Sequence, residues 1–148
     1  MKIFIHSRRS VKELIESGFP ENTAVISFYT PAGKRERRES PVDYKGVCRR
    51  VFYVGIPDID MGILAEYGYT YESYLDSADA LAAFIRRAYA EGLDIICQCD
   101  YGQSRSAACA AAILQYFEGR GIDIFADYRY YPNQLVYHKI FDALKRTE

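Results

Sequence analysis

Short apolar runs separated by polar segments make up the first part of the chain. Residues 2–6 alternate enough to predict a strand, and residues 23–29, which are β-branched and aromatic, predict a buried one. Between them, Ser10 and Glu13 form a capping-box pattern at the start of an apolar periodicity typical of a helix. Gly18 is expected to end that helix.

A polar segment and a third strand follow. Residues 47–56 are apolar enough to predict a strand, and residues 57–70 contain glycines and acidic side chains that predict a long loop. Residues 31–46 form a polar loop whose basic run is expected to be a solvated surface: Lys34, Arg35, Arg37 and Arg38.

Helical periodicity dominates the second half. Residues 71–92 have the clearest apolar stripe, and an apolar strand over residues 94–98 precedes an alanine-rich helix over residues 106–117. A last helix is expected over residues 132–144, because proline is favoured in the first turn of a helix. Strands that alternate with helices predict an α/β fold with a central, mostly parallel sheet flanked by helices, in a single domain over residues 1–148.

Composition excludes several functional classes. Of 148 residues, 49% are hydrophobic, which is enough to form one core. The formal net charge is −1, so neither nucleic acid nor an acidic membrane is an expected partner. No apolar run is long enough to span a membrane, and the apolar run at the N-terminus is too short for a signal peptide. We therefore expect a cytoplasmic location.

The cysteines do not form a metal-binding pattern. Cys97 and Cys99 are separated by a single residue, and His6 and His138 lie far from them in sequence. With Cys48 and Cys109 they are expected to be reduced thiols. No metal and no cofactor is expected.

One segment contains side chains that suggest chemistry. Residues 97–106 read Cys-Gln-Cys-Asp-Tyr-Gly-Gln-Ser-Arg-Ser, and they follow a predicted strand and open a predicted helix. Such a turn directs backbone N–H groups towards an anion, and Gly102 allows a close approach. The positive field of such a turn favours the nucleophilic thiolate form of Cys99. The planar guanidinium of Arg105 is able to bind two phosphate oxygens at once. The alternative is a buried cysteine at a strand end and an ordinary arginine at a helix start.

This loop resembles the signature of the cysteine-based protein tyrosine phosphatases, and it is most similar to their small dual-specificity branch. The resemblance implies a phosphocysteine intermediate on Cys99, phosphate binding by Arg105, and assistance to breakdown of the intermediate by Ser106. The residues between cysteine and arginine would surround the phosphate: Asp100, Tyr101, Gly102, Gln103 and Ser104.

The resemblance also implies a general acid on a separate loop. Pro57-Asp58-Ile59-Asp60 follows a predicted strand in the way this acid does in the family, and the spacing from Pro57 favours Asp60 over Asp58. The alternative is that both aspartates are loop and cap residues. Asn133, in a Pro-Asn pair before the last helix, would brace the phosphate loop, or it is simply a helix start.

Two residues depart from the family pattern. Gln98 stands where the family has a histidine that shapes the loop and lowers the pKa of the nucleophile, which makes the reactivity of Cys99 less certain. Asp100 places a negative charge in the loop, which disfavours a highly phosphorylated substrate.

Three functional hypotheses follow. The first is a phosphoric monoester hydrolase of the protein tyrosine or dual-specificity type, acting on a phosphorylated protein or a small phosphate monoester. The second is a phosphate-binding pseudophosphatase with little turnover, suggested by Gln98. The third is a rhodanese-like sulfur transferase, which Ser106 and the loop from Pro57 to Asp60 argue against, because sulfur transfer needs no such acid. The sequence does not distinguish phosphotyrosine from phosphoserine or phosphothreonine.

Overall fold

The computed structural model describes residues 1–32 and 40–148. The predicted basic run at positions 34–38 lies outside the described residues. The strands are β1 (Ile3–His6), β2 (Thr23–Tyr29), β3 (Val51–Gly55) and β4 (Asp94–Gln98). The helices are α1 (Arg8–Ser17), α2 (Ala78–Ala90), α3 (Arg105–Glu118), α4 (Ile122–Phe125) and α5 (Gln134–Arg146).

The described strands form one sheet in the order β1-β4-β2-β3, and all of its pairings are parallel. The two central strands, β2 and β4, are almost entirely buried, which explains their continuous apolar sequence. The α/β class with a mostly parallel sheet and flanking helices is therefore confirmed. Because the strands run in one direction, their carboxyl ends meet at the same edge of the sheet.

Helices cover both faces of this sheet. The larger core lies between the sheet and the helices α2, α3 and α5, and its members include Ile26, Leu81, Ile113 and Ile140. A smaller core lies on the other face, where Val11 of α1 is buried beside Tyr44 of the segment that precedes β3. Each face of the sheet thus removes apolar surface from water, which is the main stabilising term of such a fold.

The capping box of α1 lies three residues before its predicted position. The Ser7 hydroxyl accepts from the Ser10 N–H at 3.0 Å, and the Ser10 hydroxyl accepts from the Ser7 N–H at 3.1 Å. Ser10 is therefore the third residue of the helix and not its cap. The helix consequently starts at Arg8, directly after β1.

The predicted helix over residues 71–92 is regular only from Ala78. Leu75 has a backbone φ of +53° and a side chain that is 1% exposed. A left-handed residue interrupts a right-handed helix, so the segment before it forms turns. Burial of the leucine offsets this local cost, which the apolar periodicity alone does not reveal.

The end of the chain also differs in detail from the prediction. A short helix, α4, occupies part of the stretch expected to be irregular. The last helix begins at Gln134, because Asn133 is its cap: the Asn133 side-chain oxygen accepts from the Val136 N–H at 2.9 Å. Across residues 1–32 and 40–148, no helix has the length and apolar character needed to cross a membrane.

Candidate active site

The candidate site lies at the edge of the sheet where the carboxyl ends of the strands meet. β4 ends at Gln98 and α3 begins at Arg105, so residues 99–104 form a tight loop between them, called the phosphate loop below. The first N–H groups of a helix have no partner within it, and the helix dipole makes that end positive. The loop and the start of α3 therefore favour an anion.

Outward-facing carbonyl groups fix the shape of the phosphate loop. The N–H of the first α1 residue donates to the Asp100 carbonyl at 3.0 Å. On the opposite side, the Tyr131 N–H donates to the Gln103 carbonyl at 2.8 Å, and the Asn133 N–H donates to the Ser104 carbonyl at 3.2 Å. Two separate segments thus hold the loop from outside.

The N–H groups of the phosphate loop, in contrast, are available to a ligand. In the part of the chain that the structure describes, those of residues 100–104 have no hydrogen-bond acceptor. A row of unpaired N–H donors in a tight turn at a helix N-terminus is the geometry that binds phosphate.

Gly102 is required where the phosphate loop meets the β1–α1 junction. Its φ is +69°, and a Cβ at this position would lie 2.7 Å from the backbone nitrogen of Ser7 and 2.9 Å from the carbonyl carbon of His6. Neither backbone atom is able to move without disturbing the start of α1. A side chain is therefore excluded by both conformation and space.

We expect Gly102→Ala to lower the melting temperature by clearly more than Gly119→Ala does. Gly119 is the matched control. It ends α3, the helix that follows the phosphate loop, at a φ of +68°, but has nothing within 4 Å of a Cβ. The control should cost about 1 kcal/mol for the left-handed conformation alone. Gly102→Ala adds the backbone clash to this cost. Equal decreases in melting temperature for the two variants would show that the loop accommodates the Cβ without a further cost.

Cys99 and Ser106 lie together at the floor of the phosphate loop. The Cys99 Sγ is 3.1 Å from the Ser106 Oγ, and the two residues are 3% and 0% exposed. The Cys99 N–H donates to the His6 carbonyl at 3.3 Å, which continues the β1–β4 ladder to the first residue of the loop. The structure thus brings these two predicted site residues into contact.

The other cysteines have different surroundings. Cys48 lies before β3, where its thiol donates to the Thr23 carbonyl at 3.3 Å, at the opposite edge of the sheet. Burial raises the pKa of the Cys109 thiol well above its ordinary value, so it stays protonated. All four cysteines are free thiols. Cys99 is the one that begins the phosphate loop.

The guanidinium group of Arg105 is buried and held from the side of the neighbouring strands. The Arg105 Nη1 donates to the Ile56 carbonyl at 2.8 Å and to the Thr30 hydroxyl at 3.0 Å, and the residue is 5% exposed. Thr30 and Ile56 each directly follow a parallel strand, β2 and β3. Sequence reasoning missed both residues. Their position directly after a strand was the one signal that could have indicated them, since their side-chain types suggest no site.

Of the two candidate acids, Asp58 contacts the phosphate loop. Its Oδ1 accepts from the Ser104 hydroxyl and from the Asn133 side-chain amide, each at 2.8 Å. The Asp60 Oδ1 instead accepts from the Gly62 N–H at 2.9 Å and caps its own 3₁₀ turn. Both carboxylates are exposed. The contact with the phosphate loop is made by Asp58, whereas the spacing from Pro57 favoured Asp60.

Gln98 is fully buried beneath the loop, on the face of the sheet covered by α1. Its side-chain oxygen accepts from the Ser27 hydroxyl and, at 3.2 Å, from the Tyr44 hydroxyl. Its side-chain nitrogen has no partner within residues 1–32 and 40–148. Burial raises the pKa of Tyr44, so the phenol is neutral and able to donate. Gln98 thus belongs to an uncharged cluster, where a histidine would bring a titratable group.

The outer rim of the phosphate loop carries the remaining predicted residues. The Asp100 carboxylate lies 3.6 Å from the Arg8 Nε, so a cation balances the acidic charge that the sequence analysis noted. Tyr101 is 79% exposed, and Gln103 is exposed as well.

Metal binding has no support from the described residues. Among residues 1–32 and 40–148, no group of three or more His, Cys, Asp or Glu side chains is arranged to hold a metal ion.

Comparisons with known proteins find structural similarity only. No protein-family model matches the chain, and no curated protein sequence matches it. Among solved structures, human DUSP28 is similar with a TM-score of 0.59 and 17% identity, over 97% of this chain and 92% of that one. PTPMT1 in complex with PI(5)P has a TM-score of 0.57 and 14% identity, over 99% and 92% of the two chains.

A third similar structure is the human tyrosine phosphatase-like serine/threonine/tyrosine-interacting protein, with a TM-score of 0.54 and 16% identity, over 95% of this chain and 89% of that one. The three matches cover almost the whole length of the chain. The chain therefore has a dual-specificity-phosphatase-like fold.

Proposed function

We propose that this protein is a phosphoric monoester hydrolase that acts through a phosphocysteine intermediate on Cys99. The observation that supports this most directly is the contact between the Cys99 Sγ and the Ser106 Oγ, 3.1 Å apart, beneath a loop of unpaired N–H donors. A buried arginine at the start of α3 completes the phosphate-binding environment. Its substrate is a phosphorylated protein or a small phosphate monoester, and a cytoplasmic location stays a prediction.

The reaction proceeds in two displacements. The Cys99 thiolate forms a bond to phosphorus while the bond from phosphorus to the ester oxygen breaks, and the leaving oxygen takes a proton from an aspartic acid. Water then attacks the phosphocysteine and gives a proton to the same aspartate, the S–P bond breaks, inorganic phosphate is released, and the thiolate and the aspartic acid are regenerated. The Ser106 hydroxyl, in contact with the sulfur, donates a hydrogen bond to the departing thiolate in the second step.

We propose Asp58 as the proton donor of the first step. The carboxylate must lie beside the phosphate loop to reach the leaving oxygen, and Asp58 is bound there by Ser104 and Asn133. In this proposal Asn133 braces the loop through its backbone N–H and holds the acid through its side chain. Asp60 is the alternative, since the two residues belong to one loop.

We expect Asp58→Asn to lower the rate by on the order of 10²–10⁴ for a phenolic or alkoxide-like leaving group. The loss should shrink for a leaving group that departs readily without a proton, and the basic limb of the pH–rate profile should flatten. Asp60→Asn is the matched variant, and it should affect only the hydrogen bond from the Gly62 N–H that caps the turn after Asp60. If Asp60→Asn alone shows the leaving-group dependence, the acid is Asp60, as the sequence spacing suggested.

The second candidate function is a phosphate-binding module with little turnover. It is favoured by Gln98, which belongs to a neutral buried cluster where the family has a histidine. Hydrolysis of p-nitrophenyl phosphate with inhibition by vanadate tests the first function. Phosphate binding measured by calorimetry, without turnover, would support the second.

Once turnover is established, the next experiment determines the substrate class. A panel of tyrosine, serine and threonine phosphopeptides and small phosphate monoesters, compared by kcat/KM, separates the candidate classes. Preference for phosphotyrosine peptides over all others would indicate a tyrosine phosphatase. Comparable rates on the three peptide classes would indicate dual specificity.

A further inference from the structure

A buried phenol outside the phosphate loop reaches the loop that carries the candidate acids. Tyr74 lies in the turns before α2, is 0% exposed, and packs edge-on against Tyr69 with ring centroids 5.6 Å apart. Its hydroxyl donates to the Pro57 carbonyl at 2.7 Å. Pro57 immediately precedes Asp58, so the contact fixes the backbone directly before that carboxylate.

Burial sets the protonation state of this phenol. It raises the pKa of Tyr74, and the nearby Asp58 charge raises it further. The phenol is therefore neutral at any physiological pH. It acts as a fixed donor to Pro57 and not as a source of protons for the reaction.

Four consecutive residues of this loop are held by side chains from different elements. Arg105 of α3 binds the Ile56 carbonyl, and Asn133 binds the Ile59 carbonyl at 2.9 Å. Ser104 and Asn133 bind the Asp58 carboxylate. Pro57 has no N–H of its own, and its carbonyl is held by Tyr74. Tyr74 differs from the others in belonging neither to the phosphate loop and the α3 helix that follows it nor to the segment that braces the loop.

A hydroxyl in this place has a chemical consequence. The proton donor must lie within hydrogen-bond reach of the leaving oxygen, and small displacements of a catalytic group reduce its rate strongly. A buried hydrogen bond to the adjacent carbonyl restricts the backbone on which the carboxylate is mounted. The hydroxyl makes the contact with the Pro57 carbonyl, whereas the ring belongs to the larger core.

We propose that Tyr74 is a positioning residue for the general acid, holding the loop from Pro57 to Asp60 in place over the phosphate loop. The inference rests on the proposed function. It assigns to a core residue an effect on proton donation that should be separable from its contribution to stability.

The test is Tyr74→Phe, which removes one oxygen and keeps the ring. We expect kcat to fall on the order of tenfold with phenyl phosphate, whose leaving group needs a proton. With 2,4-dinitrophenyl phosphate, whose leaving group does not, kcat should change by less than about twofold. The matched control is Tyr71→Phe, which removes an exposed hydroxyl that contacts Asp142 at 3.4 Å, and it should leave the ratio of the two rates unchanged.

The ratio of the two rates does not depend on how much of the variant is folded, because both substrates meet the same enzyme. The measurement is made at 10 °C if Tyr74→Phe unfolds at higher temperature. Equal loss on both substrates, or no loss on either, overturns the positioning role while Asp58→Asn keeps its leaving-group dependence. Unchanged turnover in a Cys99 variant would instead overturn the proposed function, so the two failures are distinguishable.

Discussion

Replacement of Cys99 by serine is expected to abolish hydrolysis and to leave phosphate binding intact. The serine hydroxyl is not ionised near neutral pH, so the nucleophile is lost. We expect kcat to fall by at least about 10⁴-fold. The loop N–H groups and Arg105 are untouched, so calorimetry should show inorganic phosphate binding to Cys99→Ser within a few-fold of the wild-type affinity.

The control for this substitution is Cys48→Ser. Cys48 is a free thiol at the opposite edge of the sheet, so its replacement tests whether the loss of activity belongs to one cysteine. Full activity is expected for Cys48→Ser. Turnover that survives in Cys99→Ser would refute the phosphatase proposal. A Cys99→Ser variant that is inactive and also fails to bind phosphate would indicate that the loop had collapsed, and circular dichroism would report that directly.

The strand, loop and helix of the site could be predicted because their signals are local. A short apolar strand, a glycine in a turn and an unbroken alanine-rich helix lie within about 25 residues, and β4 and α3 form where these patterns place them. The β-strand interiors were equally clear, since a central strand of a parallel sheet is buried on both faces. The sheet order follows from pairing across the whole chain, and no single segment specifies it.

The residues around the loop could not be predicted in the same way. Asp58 and Asp60 lie two residues apart, and their spacing from Pro57 favours Asp60. Only the approach of Ser104 and Asn133 in the folded chain points to Asp58. The contact between Tyr74 and Pro57 spans 17 residues and depends on a turn at Leu75 that apolar periodicity hides. Such contacts are consequences of tertiary packing, so a sequence pattern places these residues near the site without giving their partners.

Arg105→Lys is expected to impair catalysis severely. Lysine keeps the positive charge but loses the planar pair of donors, and the ammonium group is unable to satisfy two phosphate oxygens and the Ile56 carbonyl together. We expect kcat/KM to fall on the order of 10²–10³, the loss typical of removing one transition-state donor. Vanadate, which resembles the transition state, should lose more affinity than inorganic phosphate.

Arg86→Lys is the matched control, because Arg86 is also a partly buried arginine that binds backbone: its Nη2 donates to the Leu144 carbonyl at 2.9 Å and to the Thr147 hydroxyl. Those contacts join α2 to the end of α5, away from the phosphate loop, so Arg86→Lys should lower the melting temperature and leave kcat/KM near wild type. For Arg105→Lys we expect the opposite pattern, in which kcat/KM changes more than the melting temperature. A near-normal kcat/KM for Arg105→Lys would show that its guanidinium serves the ends of β2 and β3 and does not bind the substrate phosphate.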